Sequence, residues 1–424
     1  MNVGLLLIIL MLVLVFLGIP ICFSLGIATV VAMLYGGMPL LVVPQKMFTG
    51  VDSVPLLAIP FFLLAGNLMA RGITQAILNF ANAMIGAIRG GLGMVTVCAS
   101  AVFAAISGSG VATVSAIGGM TIPAMKKEGY SPDFAAAVAS VASILGPIIP
   151  PSIVLIVYGS STDTSIGELF MAAVIPGLLV AAVLLGYVYY HAGKHNFKVH
   201  PKVSAKEKVR VTLDSIWALF MPVLILGGIF FGVFTATEAA AVSVLYALLV
   251  GLFIHKDLKL KELPKILSDS AVMTAAILMM LALSKVSSWV VVASKLPMDI
   301  MNTLSAMTDS PIVILLFLNG LLLIVGMLME ANAAVVMLTP LIIPLLKAYG
   351  ISTVHFGIVM CLNLCIGLVT PPVGACILLG NEIAGEKLER TLVKALPMIG
   401  VSILVLMIVT YVPATTTWLP NLMK

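Results

Sequence analysis

Gly146-Pro147-Ile148-Ile149-Pro150-Pro151 lies in very apolar sequence, and 221 residues later the chain runs Gly367-Leu368-Val369-Thr370-Pro371-Pro372. The same offset carries Pro123, Lys126, Gly129 and Ser131 onto Pro344, Lys347, Gly350 and Ser352, and Gly159 and Pro176 onto Gly380 and Pro397. Proline has no N–H, and its ring clashes with the preceding turn, so each Pro-Pro leaves carbonyls without helical partners. Paired Gly/Pro interruptions in two hydrophobic halves are the sequence mark of a transporter built from internal repeats. Irregular backbone at membrane depth is tolerated only inside protein or beside a water-filled cavity. The two breaks therefore also predict where a site lies.

Composition agrees. Of 424 residues, 61% are hydrophobic and 9% charged, against roughly a quarter charged in a soluble domain. The chain reads as an all-α integral membrane protein. Apolar runs recur at 5–34, 171–190, 239–253, 271–294 and 397–412, and long runs indicate helices where a membrane barrel would show short alternating segments. Residues 5–34 read as one long helix or as two parted at Gly18-Ile19-Pro20. The run has no basic leader or cleavage site and is expected to be retained. The net charge of +5 sits in short loops, where orientation in the membrane explains it and nucleic acid is not implied. The five cysteines (Cys22, Cys98, Cys361, Cys365, Cys376) all lie in apolar segments and read as small buried hydrophobes. His191 and His195 have the spacing of helical metal ligands but adjoin a basic loop, and read as solvated surface. No Walker motif and no nucleophile–base constellation is present, which argues against ATP hydrolysis and against an enzyme.

Segment 194–210 holds six Lys/Arg against Glu207 alone, and 256–265 adds four lysines; both are expected in the cytoplasm. Counting crossings outward from them, with 93–124 and 311–345 read as re-entrant helical hairpins, separates Lys126 from Lys347 by an odd number of spans. The repeats then have inverted topology. Ser107-Gly108-Ser109-Gly110 interrupts the first hairpin, since glycines paired with hydroxyls are poor helix-interior residues. Glu330-Ala331-Asn332 marks the tip of the second.

Each repeat thus presents one hairpin tip and one Pro-Pro-broken transmembrane helix. Freed carbonyls at half-helix C-terminal ends are oxygen ligands for Na⁺, and half-helix N-termini favour an anionic substrate. Two cation sites flanking one anion site is the physical expectation. Helper oxygens come from Ser107, Ser109, Thr113, Ser143, Ser152, Asn332 and Thr370. Ser109, Gly110, Thr113, Ser152, Glu330 and Asn332 are the candidate substrate-binding residues. Other acids read as structural: Glu238 after Thr235 and Glu168 after Ser165 fit capping boxes, while Ser131-Pro132 and Ser310-Pro311 fit an N-cap followed by a first-turn proline. Lys285, within an apolar span, either attracts a carboxylate, pairs with an acid or snorkels.

At Phe103–Thr113, Gly146–Ser152, Phe234–Ala241, Gly326–Pro340 and Gly367–Gly374 the chain resembles the large membrane subunit of the tripartite ATP-independent periplasmic (TRAP) transporters. The resemblance covers essentially the whole chain. It implies an elevator in which a transport body (93–160 and 311–380) moves against a scaffold (1–92, 161–310 and the C-terminal span 381–424) in the bacterial inner membrane. It also implies Na⁺ coupling, a separate small four-helix membrane subunit, and a periplasmic binding protein that delivers an organic acid such as a C4-dicarboxylate, sialic acid or sugar acid. Carried over by motif, Ser107, Gly146, Ile149 and Pro151 hold one Na⁺, and Gly326, Gly367, Thr370 and Pro372 hold another. The hairpin serines do not repeat, because the offset places Ser107 on Leu328 and Ser109 on Glu330. The alternatives are a stand-alone Na⁺ or H⁺ carboxylate symporter and a passive or structural membrane subunit.

Overall fold

The computed structural model describes residues 2–195, 203–256, 258–372 and 374–423. Residues 196–202 of the basic loop therefore lie outside the described residues. Every regular element described is helical. Among the described residues, eight helices are long and apolar enough to cross a membrane, or up to nine if the bent pair Val42–Val51 and Val54–Ala70 counts as one span.

Local sequence sets the helix starts. Thr235 and Glu238 form a reciprocal capping box: the Thr235 hydroxyl accepts the Glu238 N–H at 3.3 Å, and the Glu238 carboxylate accepts the Thr235 N–H at 2.8 Å. Ser165 accepts the Glu168 N–H at 3.3 Å. Ser131 and Ser310 do stand at N-cap positions before a first-turn proline, but neither side chain caps its helix. Proline at the first position has no N–H to satisfy, which lowers the need for a side-chain cap. Residues 5–34 resolve into two helices, Val3–Phe16 and Ile21–Tyr35, parted where Gly18 turns left-handed at φ 83°.

His191 is not solvated surface. Its ring stacks on Phe134 with centroids 4.1 Å apart, and Tyr187, one turn earlier, stacks on it from 5.9 Å. The His195 side chain lies outside the described residues.

The repeat is visible element by element. The first copy runs Gly91–Ser107, a tip at Gly108-Ser109, then helical backbone from Gly110 to Lys127 with a π-turn at Val114–Gly118. Its counterpart runs Pro311–Leu328, a tip at Met329-Glu330, and Ala331–Ala348. Ser109 and Glu330, related by the 221-residue offset, are both N-caps. Gly129 and Gly350 both turn left-handed, at φ 90° and 65°. Pro132–Ala142, Leu145–Ile148 and Ile153–Thr162 form the first broken helix; Thr353–Gly367 and Ala375–Ala384 form the second.

The two copies lie antiparallel. The end of the first broken helix meets the start of the second, where the Tyr158 hydroxyl donates to the Thr353 carbonyl at 2.8 Å. At the opposite end of the molecule, the Lys126 ammonium donates to the Ala384 carbonyl at 2.8 Å. The broken helices are central: 94% of the apolar window in Pro132–Thr162 is buried, against 28% in Ala205–Phe230. The latter helix turns Trp217, Phe220 and Val223 outward, as a lipid-facing surface requires.

Candidate functional site at the paired tips

Both hairpin tips and both breaks surround one cavity of about 340 Å³. Ser109, Gly110 and Val111 line it from the first tip; Glu330, Ala331 and Asn332 line it from the second. Pro147, Ile153, Leu368 and Ala375 come from the breaks. Met273, Ala276, Ile277 and Met280 of the long helix Leu263–Ala293 close the remaining side, with Leu63.

Glycines let the backbones approach. A Cβ on Gly146 would lie 2.5 Å from the Ser109 carbonyl oxygen and 2.9 Å from the Gly110 nitrogen. A Cβ on Gly108 would lie 2.7 Å from the Pro151 carbonyl oxygen, and Gly108 is left-handed besides. In the second copy a Cβ on Gly367 would overlap the Gly326 backbone. Tip and break are thus seated on each other in the first copy, and the last turn before the tip is seated on the break in the second.

Four helix N-termini end at the cavity, those beginning at Gly110, Ile153, Ala331 and Ala375. Ser109 caps the first by accepting from Ala112 N–H at 3.4 Å, and Glu330 caps the third by accepting from Ala333 N–H at 3.2 Å. Among the described residues, the Gly110, Ile153, Ala331 and Ala375 N–H groups have no backbone acceptor. N–H groups converging at helix starts form an anion-attracting end. Glu330 is exposed to the cavity and is itself held by the Asn332 amide, which donates to it at 2.7 Å. The acceptor oxygen of Asn332 is buried and unpartnered.

The remaining candidate residues occupy other places. Thr113 is fully buried; its hydroxyl donates to the Ser109 carbonyl at 2.7 Å and lies 3.3 Å from the Ser107 hydroxyl. Ser152 is also fully buried; it donates to the Pro147 carbonyl and accepts the Leu155 N–H at 3.2 Å. Ser143 donates to Ser140. Thr113 and Ser152 therefore support the tip and the break and do not line the cavity.

Several oxygens flank the first tip and break. The residue four after Gly146 is Pro150, so the Gly146 carbonyl has no helical donor; the Ile149 N–H goes to Leu145 instead, at 2.8 Å. With the hydroxyls of Ser107 and Thr113, and the Pro151 carbonyl against Gly108, this set is all oxygen. Oxygen ligands suit a hard cation. The second break is differently spent: the Gly367 carbonyl accepts Thr370 N–H and the Leu368 carbonyl accepts Cys376 N–H, both at 3.0 Å, while the Thr370 hydroxyl donates to Ile366 at 2.7 Å. Pro372 is exposed and Gly326 buried.

Sequence reasoning missed two contributors. Cys361 is more than a packing residue, because its thiol contacts the Pro147 carbonyl at 3.1 Å and so ties the second broken helix to the first break. The long-helix face Met273–Met280 carries no polar marker and gave no signal.

The family model for the DctM component of tripartite ATP-independent periplasmic transporters matches residues 8–415. The chain belongs to this family. It is 40% identical over 400 residues to an isethionate TRAP transporter permease protein DctMQ from Oleidesulfovibrio alaskensis, covering 94% of this chain and 63% of that one. It is 40% identical to a C4-dicarboxylate TRAP transporter large permease protein DctM from Pseudomonas aeruginosa, covering 89% and 88%. With the sialic acid TRAP transporter large permease protein SiaM of Vibrio cholerae it shares 38% identity over 96% of each. The fold is similar to that of the YdaH transporter of Alcanivorax borkumensis, with a TM-score of 0.61 over 99% of each chain at 15% identity. That last likeness concerns the fold alone.

Proposed function

We propose that this TRAP large permease subunit imports an organic-acid anion through the tip cavity, coupled to Na⁺, in the bacterial inner membrane. The observation that carries this reading is the convergence of four helix N-termini on a single cavity between two antiparallel repeats. Their N–H groups, which have no backbone acceptor among the described residues, bind the solute's anionic oxygens, and the apolar wall Met273–Met280 packs its carbon skeleton. Relatives are named for isethionate, C4-dicarboxylates and sialic acid, and the solute of this chain belongs to that chemical range.

Ser107, Gly146, Ile149 and Pro151 would hold a Na⁺ beneath the first tip, and Gly326, Gly367, Thr370 and Pro372 a second. A bound cation supplies positive charge that draws the tip and break oxygens together. The hairpins are re-entrant in this reading. The body made of 93–160 and 311–380 moves as an elevator against a scaffold of 1–92, 161–310 and 381–424. A small four-helix subunit and a periplasmic binding protein complete the transporter.

The test is uptake of labelled succinate, isethionate and sialic acid into proteoliposomes containing the chain and its small subunit, with and without an inward Na⁺ gradient and binding protein. Accumulation that requires both is expected. Accumulation without the binding protein would make the chain a stand-alone symporter, and none under any gradient would reject coupled transport.

A further inference from the structure

A second cavity of about 220 Å³ lies on the same helices as the first. The long helix contributes Met280 to the tip cavity and Ser284 and Lys285 to this one, about one turn or 6 Å further along its axis. Ala331–Ala348 begins at the tip cavity, with Glu330 to Asn332, and lines the second from Val336 to Lys347. Ile153–Thr162 likewise begins at the first and ends at the second, with Ser161 and Thr162. The cavities are stacked end to end along three shared helices, the second towards the end of the molecule that carries Asp163 and Lys347.

Its chemistry is that of unspent donors. Lys285 sits mid-helix in an apolar span, half-buried, and its stem is wedged against Gly50, where a Cβ would come within 2.7 Å of Lys285 Cγ. Neither Lys285 nor Lys347 has an ion-pair or hydrogen-bond partner among the described residues, and the one acid lining the cavity, Asp163, pairs with neither. The Ser161 hydroxyl is buried and has no partner. An intramembrane lysine placed away from any counter-ion marks a solute or ion pathway. Buried polar groups left unpaired are costly unless something else completes them.

We propose that Lys285, Lys347 and Ser161 form an anion-binding site that takes the solute's carboxylate or sulfonate before it passes along the three helices to the tip cavity. The inference rests on the transport reading of the tip cavity. It assigns to Lys285 the capture of the anion, and to its position one turn from Met280 the hand-over.

Trp289, one turn beyond Lys285, is a built-in reporter. The full chain with its small subunit, carrying Trp217→Phe and Trp418→Phe, is reconstituted in phosphatidylcholine nanodiscs and titrated with succinate, isethionate and sialic acid. A saturable change in Trp289 emission is expected with at least one of them. Lys285→Gln should raise the apparent Kd about tenfold or more, the loss of one charge-assisted hydrogen bond, and Lys347→Gln should act in the same direction. Neutralising a lysine in an apolar helix does not threaten folding. Asn332→Ala, in the tip cavity, should lower uptake and leave the Trp289 response in place. If Asn332→Ala transported normally, the tip-cavity reading would fail while the Trp289 titration still judged this site. An unchanged Kd in Lys285→Gln would overturn the proposal. So would the absence of any Trp289 response to the three acids, or a response given by phosphatidylglycerol that none of them displaces, which would make the ligand a lipid headgroup.

Discussion

Gly146→Ala is the sharpest perturbation of the tip–break contact. The added Cβ would lie 2.5 Å from the Ser109 carbonyl oxygen, 2.6 Å from its carbon and 2.9 Å from the Gly110 nitrogen. Ordinary contact begins near 3.4 Å, so the tip must retreat by about 0.9 Å. The obstacle is backbone with no side-chain end to swing aside, and overpacking of this kind costs about 1–3 kcal/mol. Relieved by lifting the tip, that strain lowers the population of the seated arrangement by about 5- to 150-fold. Na⁺-dependent uptake should fall by a similar factor, because the carbonyls of the break and the N–H groups of the tip no longer share one geometry. Gly119→Ala is the control in the same hairpin, with nothing within 4 Å of its added Cβ; it should fold and transport like the wild type. The assay is initial-rate uptake across a Na⁺ titration, with a thermal unfolding curve for each variant. Wild-type uptake and Na⁺ dependence in a folded Gly146→Ala protein would refute the seated-tip reasoning.

Two further predictions follow from other parts of the molecule. Pro151→Ala and Pro372→Ala each return an N–H four residues after a carbonyl, Pro147 or Leu368, and favour a continuous helix. Both should weaken Na⁺ dependence more than stability, measured by uptake against Na⁺ concentration beside a melting curve. Asn319 links two helices by accepting from Asn363 at 2.6 Å and donating to Thr410 at 3.1 Å in a fully buried position. Asn319→Ala should cost about 1–3 kcal/mol of stability and leave apparent Na⁺ affinity unchanged, as read by thermal melting and uptake.

The repeat was legible because it is written in residues with backbone consequences. Proline removes donors and glycine admits left-handed turns, so Pro150-Pro151, Pro371-Pro372, Gly129 and Gly350 mark the same places in sequence and in structure. The tip residues Ser109 and Glu330 were legible as polar interruptions, but their shared role as N-caps emerges only in the structure. What lines the rest of the cavity was not legible. Leu263–Ala293 is apolar on nearly every face, so periodicity does not say which side meets the tips. The Cys361 contact with Pro147 joins residues more than two hundred positions apart, and no local pattern encodes it. Thr113 and Ser152 show the opposite difficulty. Their hydroxyls were visible, but whether a buried hydroxyl meets a ligand or a neighbouring carbonyl is settled only by packing.

The central claim is that the solute anion sits among the N–H groups of Gly110, Ile153, Ala331 and Ala375. Electron cryomicroscopy of the complete complex, prepared in Na⁺ with the acid it accumulates, tests this directly. Solute density is expected in the tip cavity, its anionic oxygens within hydrogen-bond distance of those N–H groups and its carbon skeleton against Met273 and Ile277. Solute density elsewhere, with the tip cavity empty in a transport-competent preparation, would contradict it.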